Sequence, residues 1–384
     1  MYKVTKYILE ICNYIDKNYP ELFYFIPTYY DNIAFSVIKV YLRLDLKTLD
    51  FLKVENAIYA SKDELLDSFI TLVSNHIADK GIPNPDQKDS FLSKLIIILQ
   101  YKDIVQKLEK NKVANEKLLP SLLAAFETKN SYVIAKSFLR LLKGKPYADF
   151  TSVISPEIGS ASYRSLFVSL CTKQEKLRDK FLNDLFNHIN DLLSTLYLKY
   201  ADRNNGEVSE REENMKEARL NYETLYNMLR VLETVISLVP LVFLDVSRVL
   251  KQRASDLCML IIREVTQGHI GSFLLEIPSQ IIKRIETSGA LLSPIAGIYS
   301  ALSKAAFMEK TKKFVSLEEF MVSADGFDID LMKNFIELLK GKAIKGLSKE
   351  FFTVRDAVNS LGPYMARHPS TVQLTNNHRT KTMR

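Results

Sequence analysis

The feature that most constrains the fold of this 384-residue chain is an apolar stripe with the period of an α-helix. Its members recur in alternating steps of three and four residues: Tyr222, Leu225, Leu229, Leu232, Ile236 and Val239. This spacing places all six side chains on one face of a helix. Pro240 predicts the end or a kink of that helix, because proline lacks the amide hydrogen that a helix interior requires.

Similar patterns cover most of the chain and predict further helices. We expect them over residues 2–18, 30–45, 88–108, 114–127, 130–143, 162–200, 250–267, 272–286, 291–308, 328–341 and 349–361. Three serine–glutamate pairs with the spacing of a capping box predict helix starts at Ser61, Ser209 and Ser316. No run of strict apolar–polar alternation predicts a strand. With only 12 Gly and 12 Pro, the composition also favours long helices over a turn-rich β fold.

The regular, short connections between these segments predict an all-α fold, an α-solenoid-like array of antiparallel helices. An irregular helical bundle in two lobes is the alternative. The polar stretch at residues 201–210 predicts a loop between an N-terminal helical lobe (1–200) and a C-terminal helical lobe (211–362). Residues 363–384 lack apolar periodicity and are expected to form a disordered basic tail.

The net charge of +7 is concentrated at the end of the chain. Nine Lys and Arg stand against two acidic residues from Lys340 to Arg384, so the preceding part is neutral overall. A neutral body does not predict a specific nucleic-acid binder. The basic segment leaves open a peripheral membrane- or RNA-associated helical protein. The most apolar run, Val235 to Leu244, is shorter than the about 20 residues that span a bilayer. No transmembrane segment is therefore expected.

The residues that usually carry chemistry are few and scattered. Cysteine occurs at Cys12, Cys171 and Cys258, and histidine at His76, His188, His269, His368 and His378. Their spacing fits no zinc site, and no phosphate-binding or hydrolase motif is present. We therefore expect no catalytic residue, no cofactor and no metal, and a reducing cytoplasmic setting. An enzyme whose site assembles only in the fold, around Cys171 or Cys258, remains an alternative.

An aromatic cluster from Tyr19 to Tyr30 has two interpretations. It could form a peptide-binding patch, since exposed aromatic residues dominate many protein interfaces. We favour packing in the core, with the tyrosine hydroxyl groups at the rim.

One longer stretch carries a family resemblance. Met228 to Asp245, MLRVLETVISLVPLVFLD, closely resembles a segment of the large RING ubiquitin ligases of the RING finger protein 123 type. That family includes the catalytic subunit of the cell-cycle-inhibitor ubiquitination complex (KPC) and its plant relatives. Weaker similarities to the same family run in the same order at residues 20–42, 181–190 and 314–325.

The resemblance implies the helical, TPR-like region that lies between an N-terminal SPRY domain and a C-terminal RING in these ligases. No SPRY-like β pattern occurs here, and no cysteine follows Asp325, so no ligase residues can be carried over. The resemblance thus implies a scaffold in protein ubiquitination that binds proteins, either a ubiquitin-pathway partner or a substrate. A truncated ligase, a RING-less relative and an adaptor all fit, and whether the chain is an enzyme stays open.

Overall fold

A computed structural model describes most of the chain. The described residues are 2–23, 25–27, 29–43, 56–77, 85–101, 104–126, 130–144, 159–201, 208–245, 249–267, 291–308, 314–340 and 348–369. Their contacts divide the chain into two compact units, unit 1 (Met1–Phe181) and unit 2 (Leu182–Arg384).

The described residues form 17 helices and no strand. The helices of the first half are α1 (Tyr2–Asn18), α2 (Pro20–Phe23), α3 (Tyr29–Arg43), α4 (Asn56–His76), α5 (Pro85–Leu99), α6 (Ile104–Lys110), α7 (Lys112–Ala124), α8 (Ser131–Leu142) and α9 (Ala161–Lys173). They are followed by α10 (Glu175–Ala201), α11 (Val208–Leu238), α12 (Leu241–Leu244), α13 (Val249–Thr266), α14 (Leu292–Met308), α15 (Leu317–Val322), α16 (Ile329–Lys340) and α17 (Ser348–Arg367). The all-α prediction is therefore confirmed. None of the described helices is long and apolar enough to cross a membrane.

Unit 1 is built around α4, which packs against α1, α3, α5 and α7. Its core is apolar and rich in phenylalanine. Phe138 lies edge-on to Phe167, with ring centroids 5.3 Å apart, and stacks on Phe181 at 5.8 Å. Such geometries are the favoured ones for aromatic pairs, so these rings join α8, α9 and the start of α10.

Unit 2 is built around α14, which contacts α11, α12, α13, α15, α16 and α17. Its first half is almost entirely buried. Tyr299 lies edge-on to Phe320 and Phe335, with both centroid distances 6.3 Å. The apolar face of α11 predicted from the sequence is buried against this helix, and α11 ends at Leu238, before Pro240, as predicted.

Most helix predictions agree with the structure to within two or three residues, but two expected long helices are interrupted. The helix expected at 88–108 ends at Leu99, and the one expected at 162–200 divides at Gln174. A buried arginine lies at each break. Arg140 Nε donates to the Leu99 carbonyl oxygen at 2.9 Å, and Arg178 Nη1 donates to the Cys171 carbonyl oxygen at 3.0 Å. Each satisfies a carbonyl that the helix end leaves without an internal partner.

The three capping predictions have different outcomes. Ser316 caps α15, because its hydroxyl accepts from the Glu319 amide at 3.2 Å. Helix α11 begins at Val208, one residue before Ser209. The helix start expected at Ser61 is wrong, since α4 begins at Asn56. The helix expected at 272–286 lies outside the described residues.

The division into units falls at Phe181 and Leu182, inside α10, whereas the sequence places a loop at 201–210. Residues 202–207 lie outside the described part of the chain, so that loop stays a prediction. Helix α17 continues to Arg367, past the expected end of the C-terminal lobe at residue 362. The disordered tail stays a prediction, since residues 370–384 are not described.

Candidate functional site

The cysteines are all buried thiols. Burial raises the pKa of the Cys171 thiol to about 12, although the nearby Arg178 guanidinium acts in the opposite direction. Burial also raises the pKa of Cys258, on α13. A nucleophilic cysteine needs a lowered pKa, because the thiolate is the reactive form. The environments of Cys171 and Cys258 therefore do not support the alternative of an enzyme site built around them.

The three histidines that the structure describes do not come together. His76 is buried in unit 1, stacked on Phe23 with centroids 3.8 Å apart, and its Nε2 lies 3.1 Å from an Asp16 oxygen. His188 is buried on α10, and His368 is exposed at the end of α17. His269 and His378 lie outside the described residues. Within the described ranges, no group of three or more His, Cys, Asp or Glu side chains could hold a metal ion.

A network of partly buried polar groups joins α11 to α14 in unit 2. The Arg230 guanidinium donates to Glu233 Oε2 at 2.9 Å, to the Ser293 hydroxyl at 2.8 Å and to the Tyr226 hydroxyl at 3.0 Å. Burial lowers the pKa of Arg230, but the charges and hydrogen bonds of Glu233 and Tyr226 together outweigh it, so the net shift of the pKa is upward. Gly297 leaves room for the carboxylate, since a Cβ there would lie 2.7 Å from Glu233 Cδ. We call this network the Arg230 seam.

A second set of contacts fastens the turn after α15 to α13. Asp256 Oδ1 accepts from the Asp325 amide at 2.6 Å and from Gln252 Nε2 at 2.8 Å. Arg263 Nη2 donates to the Gly326 carbonyl oxygen at 2.6 Å. Gly326 has a φ of +67°, in the left-handed region that glycine tolerates best. Polar side chains of α13 thus fix the backbone of this turn.

A third contact fastens α13 to α10. The Arg253 guanidinium donates to the side-chain oxygens of Asn183 and Asn187, the latter at 2.8 Å. It also lies 5.1 Å from the ring centroid of Phe186. The two asparagines are four residues apart, so they share a helix face. All three stretches of unit 2 that carry the family resemblance therefore take part in the contacts that join its helices.

Unit 1 carries an unusual number of exposed apolar side chains. Nine of them form what we call the N-terminal apolar surface: Val4, Tyr7, Ile11, Tyr14, Tyr19, Leu22, Phe25, Tyr29 and Ile33. Phe25 is 81% exposed. The interpretation of the aromatic cluster as core packing holds for Phe23 and is wrong for Tyr19, Phe25 and Tyr29. Large exposed apolar patches usually mark sites that bind other molecules.

The α1 part of this surface was not expected from the sequence. Four of its residues, which we call the α1 stripe, are spaced by three, four and three residues: Val4, Tyr7, Ile11 and Tyr14. They are 62%, 65%, 40% and 60% exposed, whereas Leu9 and Cys12 on the other side are buried. The sequence does carry a sign of this exposed face, since α1 has more apolar residues than a single packed face needs.

The basic segment from Lys340 shows no comparable site. Residues 341–347 and 370–384 lie outside the described part of the chain. In α17, Arg355 pairs with the neighbouring Asp356 at 2.8 Å. The prediction of membrane or RNA contact through this segment remains untested.

The second half of the chain is similar to a known protein family. Residues 179–365 match the family model described as "RNF123-like, TPR repeat". The chain is also 28% identical over 254 residues to the E3 ubiquitin-protein ligase RKP of Arabidopsis thaliana, which covers 65% of the chain. The chain spans about a fifth of that relative's length, because the match covers 19% of it.

The matched family supports the predicted α-solenoid-like array, since its model describes TPR repeats, which are stacked helix pairs. The model spans the Arg230 seam, the α13 contacts and most of α17. The resemblance inferred from Met228 to Asp245 is therefore confirmed, since residues 179–365 are similar to the helical region described as RNF123-like.

Proposed function

We propose that this chain is a helical scaffold in protein ubiquitination, which binds a ubiquitin-pathway protein or a substrate through its helix faces. The observation that carries the proposal is the RNF123-like match over residues 179–365. Support also comes from the relative in Arabidopsis thaliana, whose name is that of an E3 ubiquitin ligase.

The physical basis of the proposal is a rigid frame that holds partners by surface complementarity. Arginine networks such as the Arg230 seam fix the spacing of neighbouring helices, because displacement would leave a largely buried charge without its partner. The environments of Cys171 and Cys258 do not favour a cysteine nucleophile, since burial raises the pKa of both thiols. Ubiquitin transfer itself is assigned to a partner.

We place this activity in the cytoplasm. The support is that all three cysteines are thiols, which is the usual state in a reducing compartment.

Proximity labelling in living cells tests the proposal. A labelling enzyme fused to the full chain should enrich ubiquitin-conjugating enzymes, RING proteins or ubiquitin conjugates above two controls, the labelling enzyme alone and the same enzyme on an unrelated helical-repeat protein. Enrichment equal to that of the controls would contradict the proposal.

A second assay separates scaffold from ligase. Purified full chain is added to a conjugating enzyme charged with ubiquitin, and discharge to free lysine is followed in a single turnover. We expect the rate to equal that without the chain. Faster discharge would show that the chain carries transfer chemistry of its own.

A further inference from the structure

The α1 stripe has the spacing of a helix that packs against another helix. Its steps alternate between three and four residues, as do the core positions of the seven-residue repeat in antiparallel and parallel coiled coils. The stripe is exposed along the whole of α1, while the opposite face packs on α4. A helix that presents one seam to its own unit and a second to solvent can accept another helix there.

The charges beside the stripe indicate which helix fits. Glu10 directly precedes Ile11, and Lys17 lies three residues after Tyr14, so both flank the stripe along the same edge. Both are exposed. When two copies of α1 pack antiparallel with Ile11 opposite Tyr14 of the other copy, Glu10 of each copy faces Lys17 of the other. Two-fold symmetry forms this ion pair twice.

The same charges disfavour the competing register. Shifting the helices by one heptad places Val4 opposite Tyr14 and Tyr7 opposite Ile11. Glu10 then faces Glu10 of the other copy, and Lys3 faces Lys17. Like charges at such positions are unfavourable. A pairing centred on Ile11 and Tyr14 is therefore the one that the flanking charges favour.

The exposed apolar area of this surface sets the expected affinity of the dimer. The surface continues past the end of α1, because the Tyr14 and Tyr19 ring centroids lie 6.3 Å apart and Leu22 follows on α2. Taking roughly 200 Å² for a whole aromatic side chain, these six residues expose on the order of 600 Å² of apolar side chain. A pair of copies would bury at most about twice that, at the lower end of specific interfaces.

We propose that the α1 stripe, with Tyr19 and Leu22, is a self-association surface that binds the same surface of a second copy in an antiparallel α1–α1 pair. The inference is independent of the role in ubiquitination, because it rests on unit 1 alone. The dimer is of moderate affinity, with a dissociation constant on the order of micromolar, in keeping with the small area.

Sedimentation equilibrium of the full chain tests the proposal. The concentration should run from about 1 to 200 µM, because an interface of this size predicts a micromolar dissociation constant. Wild type should pass from monomer to dimer. Tyr14→Asp should shift the dissociation constant at least tenfold upward. Leu220→Asp, at a comparably exposed apolar residue of unit 2, should leave it unchanged. A wild type that is monomeric throughout, or a dimer that Tyr14→Asp does not weaken, would overturn the proposal.

A charge exchange tests the register without touching the apolar contacts. Glu10→Lys and Lys17→Glu should each weaken the dimer by about tenfold, since two exposed attractions become repulsions. The double variant should restore the wild-type dissociation constant within about threefold, because the pairs re-form with exchanged signs. Additive weakening in the double variant would contradict the antiparallel pairing. Unchanged circular dichroism and melting of each variant provide the folding control.

Discussion

The replacement Gly297→Ala probes the packing of α11 on α14 through a single methyl group. In an isolated helix the alanine would be favoured by about 1 kcal/mol, because glycine loses more backbone entropy. In unit 2 the added Cβ would lie 2.7 Å from Glu233 Cδ and 2.9 Å from Cγ. The carboxylate must therefore move, and Arg230 holds it in place.

The size of the effect follows from that hydrogen bond. Losing a hydrogen bond to a charged group costs about 1.5–3 kcal/mol, which outweighs the gain in helix propensity. Gly297→Ala should thus destabilise unit 2 by about 0.5–2 kcal/mol. In a Glu233→Ala background the obstructing atoms are gone, so the same change should stabilise unit 2 by about 1 kcal/mol. The sign reversal corresponds to a coupling energy of about 1.5–3 kcal/mol.

Hydrogen exchange measured by mass spectrometry on peptides from α14 is the suitable assay. It reports the free energy of opening within unit 2, whereas global unfolding of a chain with two units need not be two-state. The four proteins of the cycle are wild type, the two single variants and the double variant. If Gly297→Ala has the same effect with and without Glu233, the Arg230 seam does not set the spacing of α11 and α14.

Three further predictions concern unit 1 and the cysteines. All three thiols are buried, so in the native protein they should resist a thiol reagent such as dithionitrobenzoate and should react only after unfolding in urea. Rapid labelling of Cys171 or Cys258 in the native state would contradict the burial of that thiol. Arg140→Met should destabilise unit 1 by about 1–3 kcal/mol, because the Leu99 carbonyl loses its hydrogen-bond donor. Hydrogen exchange of α5 measures this loss. Arg164→Met, at a partly buried arginine of α9, is the control and should have a smaller effect. Burial raises the pKa of Asp16, but the hydrogen bonds of His76 and Asn75 and the charges of His76 and Lys117 together outweigh it and lower the pKa below 3.8. The Asp16 carboxylate therefore stabilises the native state at neutral pH, and this stabilisation is lost as the pH falls below 3.8. The difference in unfolding free energy between wild type and Asp16→Asn should shrink in that range. A difference that stays constant down to about pH 2.5 would refute the pairing of Asp16 with His76.

The sequence predicts the helices well because apolar periodicity directly records which face is buried. The stripe ending at Pro240 is an example, since its six side chains face α14 or the rest of unit 2 and the helix ends where proline forbids it to continue. The interruptions at Leu99 and Gln174 were missed for a physical reason. Neither break has a glycine or proline. The Leu99 carbonyl is satisfied by an arginine 41 residues away along the chain, and the Cys171 carbonyl by one seven residues on, and no local motif marks either arginine.

The contact network of unit 2 was equally hidden. Ser293 and Gly297 of the Arg230 seam come from α14, and Ser293 is 63 residues from Arg230 along the chain. Local spacing suggests the pair Arg230 and Glu233, but it does not reveal Ser293 or the need for Gly297. Polar contacts between distant segments depend on how the helices are arranged in the fold. Helix propensity and apolar periodicity do not reveal that arrangement.

The N-terminal apolar surface shows a different limit. Composition identified the aromatic cluster at Tyr19 to Tyr30, yet the favoured interpretation assumed that apolar side chains are buried within the chain itself. Helix α1 carries two apolar faces, and only the one with Leu9 and Cys12 is used within unit 1. A sequence states that a face is apolar, but it does not state whether this chain or another molecule covers it.

The most direct test of the scaffold role is a proteome-wide comparison of ubiquitin-remnant peptides in cells that express the chain, cells from which its gene is deleted, and deleted cells that re-express wild type. If the chain acts in ubiquitination, a defined set of proteins should lose ubiquitin-remnant sites on deletion and regain them on re-expression. An unchanged profile across the three cell lines would contradict the account.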